Sequence, residues 1–282
     1  MLRRVSVAAV GIPAALGAVF LGGWPLAGLL SLFGVLGTLE FYRLAERGEL
    51  RPLRGPGTLG AALMPLAAFA LLPAGWSLDP AWIGFGVALW FIGTVSLAAL
   101  LRGPTDKPLA SVAVTVFGAI YAGALPAFIL PIRHGPALGS AAAGTAVVFM
   151  PLVVTWVCDS LAMWGGTLIG GPKLAPVLSP HKTWAGAVSG SLGAVVLAPV
   201  YGILVLARLG VSIPWWQLAV FGLVISVVGQ IGDVSESLFK REAGVKDSGG
   251  FFPGHGGVLD RFDSLYWVLP TSLLLLRLYG TL

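Results

Sequence analysis

Apolar runs long enough to cross a bilayer recur from one end of this chain to the other, and they decide what it can fold into. A spanning helix needs about 20 mostly apolar residues. About nine segments meet that need, at roughly 5–23, 25–43, 57–75, 81–101, 109–132, 145–165, 184–207, 214–239 and 263–281. Glycine and proline are frequent within them, which is no obstacle in lipid, because neighbouring helices re-satisfy the backbone groups these residues free. Only 10% of the residues are charged, where an ordinary soluble domain carries about 25%. The expected fold is therefore all-α, a polytopic integral membrane helical bundle. Nothing in the pattern alternates as a membrane β-barrel strand would. The spans divide into an N-terminal region, 1–144, with about five helices, and a C-terminal region, 145–282, with about four helices and two polar loops. Gly22-Gly23-Trp24-Pro25 reads as a tight turn between the first two spans.

Lysine and arginine set the expected orientation. With the N-terminus in the cytoplasm and nine alternating spans, only Arg133, Arg208 and Arg277 of the 17 bases fall outside. That distribution follows the positive-inside rule and puts 166–183 and 240–262 on the cytoplasmic side of the cell membrane. It also accounts for the net charge of +5 without nucleic acid as a partner. The basic start, MLRR, imitates a signal peptide, but no small-x-small cleavage site follows it. The single cysteine, Cys158, excludes an intrachain disulfide framework.

Charge concentrates where lipid would not tolerate it without a purpose. Residues 237–263 hold Lys240, Arg241, Glu242, Lys246, Asp247, His255, Asp260, Arg261 and Asp263, with glycines between them. Upstream, Asp233, Glu236, Ser237 and Lys240 fall at i, i+3, i+4 and i+7 and share one helical face. Such a stripe must face the bundle interior or water. Its bland reading is an ion pair of Asp233 or Glu236 with Lys240. Asp159 lies near the inner end of the sixth span, and a lysine or a metal ion would neutralise it. Glu40 and Arg43, three residues apart near an interface, read as a local pair.

These residue types point to phosphate chemistry. Asp233, Asp260 and Asp263 offer hard oxygens, which suit Mg²⁺ better than zinc or copper. Lys240, Arg241, Lys246 and Arg261 supply positive charge for phosphates. Glycines around His255, including Gly256 and Gly257, let backbone N–H groups approach an anion. The other loop, GGPKLAPVLSPHKTW, adds Lys173, Ser179, His181, Lys182 and Thr183. His255 reads as a loop or phosphate contact rather than a base, since a phosphate nucleophile is already anionic.

The run Ser237-x-x-Lys240-Arg241, Lys246-Asp247, Phe252-Pro253, His255-Gly256-Gly257, Asp260-Arg261-x-Asp263 resembles the signature of the phosphatidate cytidylyltransferase (CDP-diacylglycerol synthase) family. Gly232-Asp233-x-x-Glu236-Ser237, Asp159-Ser160 and the stretch from Lys173 through Ser179-Pro180-x-Lys182-Thr183-Trp184-x-Gly186 are similar to it too. The resemblance covers the C-terminal half; the N-terminal half matches only in its apolar spans. It implies a reaction of CTP with phosphatidate that yields CDP-diacylglycerol and pyrophosphate. It implies Mg²⁺ at the acids matching Asp233 and Asp260, with K⁺ as a second candidate ion, and a homodimer. Asp233, Asp260, Lys240 and Arg241 are then the expected catalytic residues. Asp159, Ser179, Lys182, Thr183, Ser237, Lys246, Asp247, His255, Gly256, Gly257 and Arg261 are the expected substrate contacts. Met163, Gly166, His181 and Ala185 depart from the family pattern, all in the first motif. Two other classes compete. A CTP-dependent lipid kinase would release CDP. An ion-coupled transporter would need polar residues through the whole bilayer depth, whereas these gather at one end, and no internal repeat is visible.

Overall fold

The structure is a computed structural model and describes residues 13–252 and 256–282. Helices dominate: α1 (13–21), α2 (Gly23–Arg47), α3 (Arg54–Ala70), α4 (Pro80–Leu101), α5 (Pro108–Ala119), α6 (Ala141–Ile169), α7 (Trp184–Tyr201), α8 (Trp215–Glu242), α9 (Leu259–Phe262) and α10 (Leu265–Leu278). A π-helical turn, Ile120–Ala124, and two short helical pieces extend α5. Between α6 and α7 lies a two-stranded antiparallel hairpin, β1 (Lys173–Ala175) and β2 (Ser179–Thr183).

Among the described residues, six helical segments are long and apolar enough to cross a membrane: α2, α4, Pro108–Leu138, α6, Trp184–Leu209 and α8. The all-α membrane architecture is as the sequence implied. The first of the nine expected spans lies partly outside the described residues, and two others do not reach that length. Helix α3 has 17 residues and α10 has 14, which at 1.5 Å per residue reach about 25 Å and 21 Å, short of a core of roughly 30 Å. α10 begins only after the turn at Asp263–Ser264 and ends at Leu278, inside the expected 263–281.

Local sequence sets the helix ends. Asp79 accepts from the N–H of Ala81 at the start of α4, with Pro80 beside it. Ser140 caps α6 through the N–H of Ala143, and Thr183 caps α7 through that of Gly186. Gly22, at φ 63° and ψ −152°, separates α1 from α2 in a conformation only glycine adopts readily, so the expected turn is one residue wide.

The chain forms two compact units. One comprises the described residues up to Pro131 together with Phe239–Phe262; the other is Ile132–Leu238 with Asp263–Leu282. The polar loop after α8 therefore belongs with the N-terminal helices, a grouping that a division at 144/145 does not contain.

In the first unit, α2, α3 and the π-helical turn meet at small residues. A Cβ on Gly34 would lie 3.0 Å from the carbonyl oxygen of Ala61 and 3.2 Å from Gly123, so only small side chains permit this approach. An aromatic cluster of Phe41, Phe117, Tyr121 and Phe239 fills the space beside it. Two buried hydroxyls here find partners within the unit: the Tyr42 hydroxyl donates to the Thr115 carbonyl at 2.6 Å, and Thr115 Oγ1 accepts from the N–H of Leu53. In the second unit α6 and α7 pack through Gly165, Gly186 and Gly190. A Cβ on Gly186 would stand 2.5 Å from the Ala162 carbonyl, and one on Gly190 2.7 Å from that of Cys158. Gln230 of α8 reaches the Ser191 hydroxyl at 3.2 Å and the Ala187 carbonyl at 3.4 Å, joining α8 to α7 by polar contacts. Large apolar side chains point outward instead, as on α4, where only Thr94 and Ala98 are buried. That inversion suits a protein surrounded by hydrocarbon.

Candidate active site

All four members of the expected polar stripe lie in the single helix α8. Glu236 and Ser237 are buried, Asp233 and Lys240 half-buried, and Leu238 is exposed, so the stripe is turned inward. The partners differ from the bland reading. Asp233 pairs with Lys182 and Lys240 pairs with Asp260.

In the second unit, β2 delivers Lys182 to Asp233 at 2.5 Å, with side chains 27% and 30% exposed. Asp159 of α6 lies within electrostatic reach of both. Asp263 follows on the same unit: its Oδ1 accepts from the N–H of Ser264 at 2.6 Å, and its backbone packs against Gly232, next to Asp233. A Cβ on Gly232 would stand 2.8 Å from the Asp263 carbonyl oxygen. Thr183, expected as a substrate contact, is buried, and its hydroxyl is engaged in capping α7. Ser179 is half-buried at the start of β2. Of the departing positions, Gly166 has a clear packing role. A Cβ there would stand 2.9 Å from Thr183 Oγ1, so a base in its place would have to move the cap. Met163 and His181 are exposed.

The first unit holds Asp260 in α9. Its Oδ1 accepts from Lys240 at 2.8 Å. Its Oδ2 accepts from the N–H of Ser248 at 2.9 Å, the N–H of Gly257 at 2.8 Å and the Ser248 hydroxyl at 2.9 Å. The side chains of Lys240 and Asp260 are 11% and 7% exposed. Burial alone pushes the Asp260 carboxyl up. The hydrogen bond from Lys240, that from Gly257, the Lys240 charge and the Ser248 N–H together outweigh burial and hold the group below its ordinary value. The glycines serve this carboxylate directly. Gly256, at φ +83°, would place a Cβ 2.6 Å from Asp260 Oδ2, and the N–H of Gly257 is taken by Asp260 rather than open to an outside anion. Arg241, Lys246, Asp247 and Arg261 are exposed around this core, with Arg241 also donating to the Val245 carbonyl. His255 lies outside the described residues.

Sequence reasoning missed two participants. Glu40 was expected to pair with Arg43, but Arg43 is exposed while Glu40 is 2% exposed and accepts from the Ser248 hydroxyl at 3.2 Å and the Leu259 N–H at 3.0 Å. The available signal was a carboxylate inside an apolar helix; its partners, more than 200 residues on, left no local trace. Ser248 itself was an unremarked hydroxyl in a glycine-rich loop.

Among the described residues, no three His, Cys, Asp or Glu side chains form a metal cage. Mg²⁺ does not need one, since it takes one or two carboxylates and completes its shell with water and substrate phosphate. The hard-oxygen donors Asp233 and Asp263 fit that habit.

A helical membrane protein with partly buried aspartate–lysine pairs is the class that fold and site define. A sequence profile of the cytidylyltransferase family matches residues 2–279, so the chain belongs to that family. It is 33% identical over 253 residues to a phosphatidate cytidylyltransferase of Bacillus subtilis strain 168, covering 88% of each chain. Another, from Synechocystis sp. PCC 6803, is 28% identical over 291 residues, 95% of this chain and 94% of that protein. One from Brucella abortus strain 9-941 is 45% identical over 138 residues, and there the match spans about half the length of the relative.

Proposed function

We propose that this chain is a nucleotidyltransferase of phospholipid synthesis, making CDP-diacylglycerol and pyrophosphate from CTP and phosphatidate. The observation that carries the reading is the family match over 2–279, coinciding with the Asp233–Lys182 and Asp260–Lys240 pairs in an otherwise apolar chain.

In the proposed reaction a phosphatidate oxygen forms a bond to the α-phosphorus of CTP. The bond from that phosphorus to the bridging oxygen breaks, and its electron pair leaves with pyrophosphate. The attacking phosphate is anionic at neutral pH, so no base is required. Positioning and charge neutralisation carry such a transfer. The exposed Arg241, Lys246 and Arg261 offer guanidinium and ammonium charge to the phosphates. Lys240 is engaged with Asp260 and acts through it. Lys182 neutralises Asp233 and is exposed enough to exchange that partner for a phosphate. Asp233, Asp260 and Asp263 are the acids that would hold Mg²⁺ by residue type, and the resemblance singles out Asp233 and Asp260 among them. When bound, the ion supplies charge neutralisation at the triphosphate and its leaving group. K⁺ as a second ion and a homodimer are further proposals from the resemblance alone. The positive-inside count supports a multi-pass position in the cell membrane with the polar loops facing the cytoplasm.

The test is turnover by purified protein in lipid nanodiscs with CTP, phosphatidate and Mg²⁺. Pyrophosphate and CDP-diacylglycerol should appear in equal amounts. Release of CDP, or no product from folded protein, would overturn the reading.

A further inference from the structure

A buried carboxylate on a membrane helix must be repaid by hydrogen bonds. Glu40 sits in α2 at 2% exposure, and the bonds it accepts come from the 248–259 stretch, the Ser248 hydroxyl and the Leu259 N–H. These two donors flank Asp260 in different ways. Leu259 is its chain neighbour. Ser248 offers its N–H to Asp260 Oδ2, and its hydroxyl stands between Glu40 Oε2 and Asp260 Oδ2, with one proton for two carboxylates.

Packing reinforces the clamp. A side chain on Gly249 or Gly257 would collide with the Glu40 carboxylate, so both glycines are close-approach positions for this one group. Two turns earlier on α2, Phe33 packs against Phe252 and Phe262 at ring separations of 6.4 Å and 5.6 Å. α2 therefore grips the loop twice along one face, once by rings and once by charge. A glycine-rich loop carries a large conformational entropy, and without such anchors it would not hold a carboxylate in one orientation.

We infer that Glu40 is a positioning residue: it fixes Ser248 and Leu259 so that Asp260 is held toward Lys240 in the orientation turnover needs. The inference rests on the reaction proposed above for its catalytic readout, and on amide exchange for one that is independent of the reaction.

The experiment compares Glu40→Ala, Glu40→Gln, Glu40→Asp and Arg43→Ala in the full chain in nanodiscs. In Glu40→Ala, amide exchange at Ser248 and Leu259 should quicken at least tenfold while α6 keeps its protection; kcat should fall by roughly 10- to 100-fold, and KM for CTP by less than threefold either way. Glu40→Gln keeps a carbonyl oxygen for both donors and should restore loop protection and most of the turnover. Arg43→Ala should match the parent. Unchanged loop exchange in Glu40→Ala overturns the inference, as does a Glu40→Gln variant with a protected loop but the turnover of Glu40→Ala, which would assign the effect to charge. If Glu40→Ala loses protection in α6 as well, Glu40→Asp decides. Its carboxylate is one methylene short of the loop, so exchange should quicken and kcat drop although the charge remains; parental exchange and kcat would overturn the inference. If the parent protein makes no product, the proposed reaction fails while the exchange comparison still stands.

Discussion

Two lysine–aspartate pairs, one in each compact unit, are built for different work. Asp260 accepts from Lys240 and from the backbone N–H groups of Ser248 and Gly257, shares the single Ser248 hydroxyl proton with Glu40, and both charged side chains of its pair are nearly buried. Asp233 meets Lys182 at side chains about a third exposed, with Asp159 adding a second negative charge nearby. The first arrangement resembles a structural lock. The second leaves an acid whose lysine can be exchanged for a cation or a phosphate. Identical residue types therefore do not imply identical roles, and burial with donor count separates them.

The largest expected effect breaks the comparison on activity and stability together. Asp233→Asn and Asp260→Asn should each lower turnover by orders of magnitude. Only Asp260→Asn should also destabilise, by about 3–5 kcal/mol, because it removes the charge from one side of a nearly buried ion pair. Asp233→Asn should cost about 0–1 kcal/mol, as for a solvent-screened pair. Turnover assays with thermal unfolding in the same nanodiscs read both; equal destabilisation would erase the distinction. Next, chelation with EDTA should abolish turnover and added Mg²⁺ restore it. Retained activity after chelation would remove the metal assignment.

A pH titration sharpens the lock. The folded Asp260 is held below its ordinary value of 3.8, so its contribution to stability is complete above the unfolded value and is lost as pH falls through the folded one. Amide protection at Gly257 should be constant from neutral pH down to about 4 and fall only in stronger acid. A loss near pH 6 would show that Asp260 is not the group holding the loop. Thr183→Ala should be milder, lowering stability by about 1 kcal/mol through loss of the α7 cap. His255→Ala should reduce turnover less than Asp260→Asn; an equal loss would restore a role for His255 as a base.

Much of this was legible in the chain. The apolar runs specified membrane helices, and the spacing of Asp233, Glu236, Ser237 and Lys240 specified an inward face, because both depend on local periodicity. The family motif singled out the two aspartates now found in ion pairs. The pairing was not legible. Lys240 had an acid four residues back at Glu236, yet the structure gives it Asp260, and Arg43 lay one turn from Glu40 without being its partner. Helix-neighbour rules favour short-range pairs, and burial chooses instead whichever partner can be desolvated with full hydrogen bonding. Glycine was similarly ambiguous. Gly256 and Gly257 suggested a cradle for an outside anion, and in the structure they make room for Asp260 and Glu40.

By itself the sequence determined the solvent and the chemistry: hydrocarbon outside, carboxylates and bases in two polar loops, a reaction class compatible with phosphate. Composition and periodicity are sums over neighbours and survive without coordinates. Only the tertiary structure decided which acid is locked and which is available, and that Glu40 of a helix near the N-terminus meets Ser248 and Leu259. Those outcomes depend on contacts across more than 200 residues, where burial sets the energy of each charge and sequence distance carries no information.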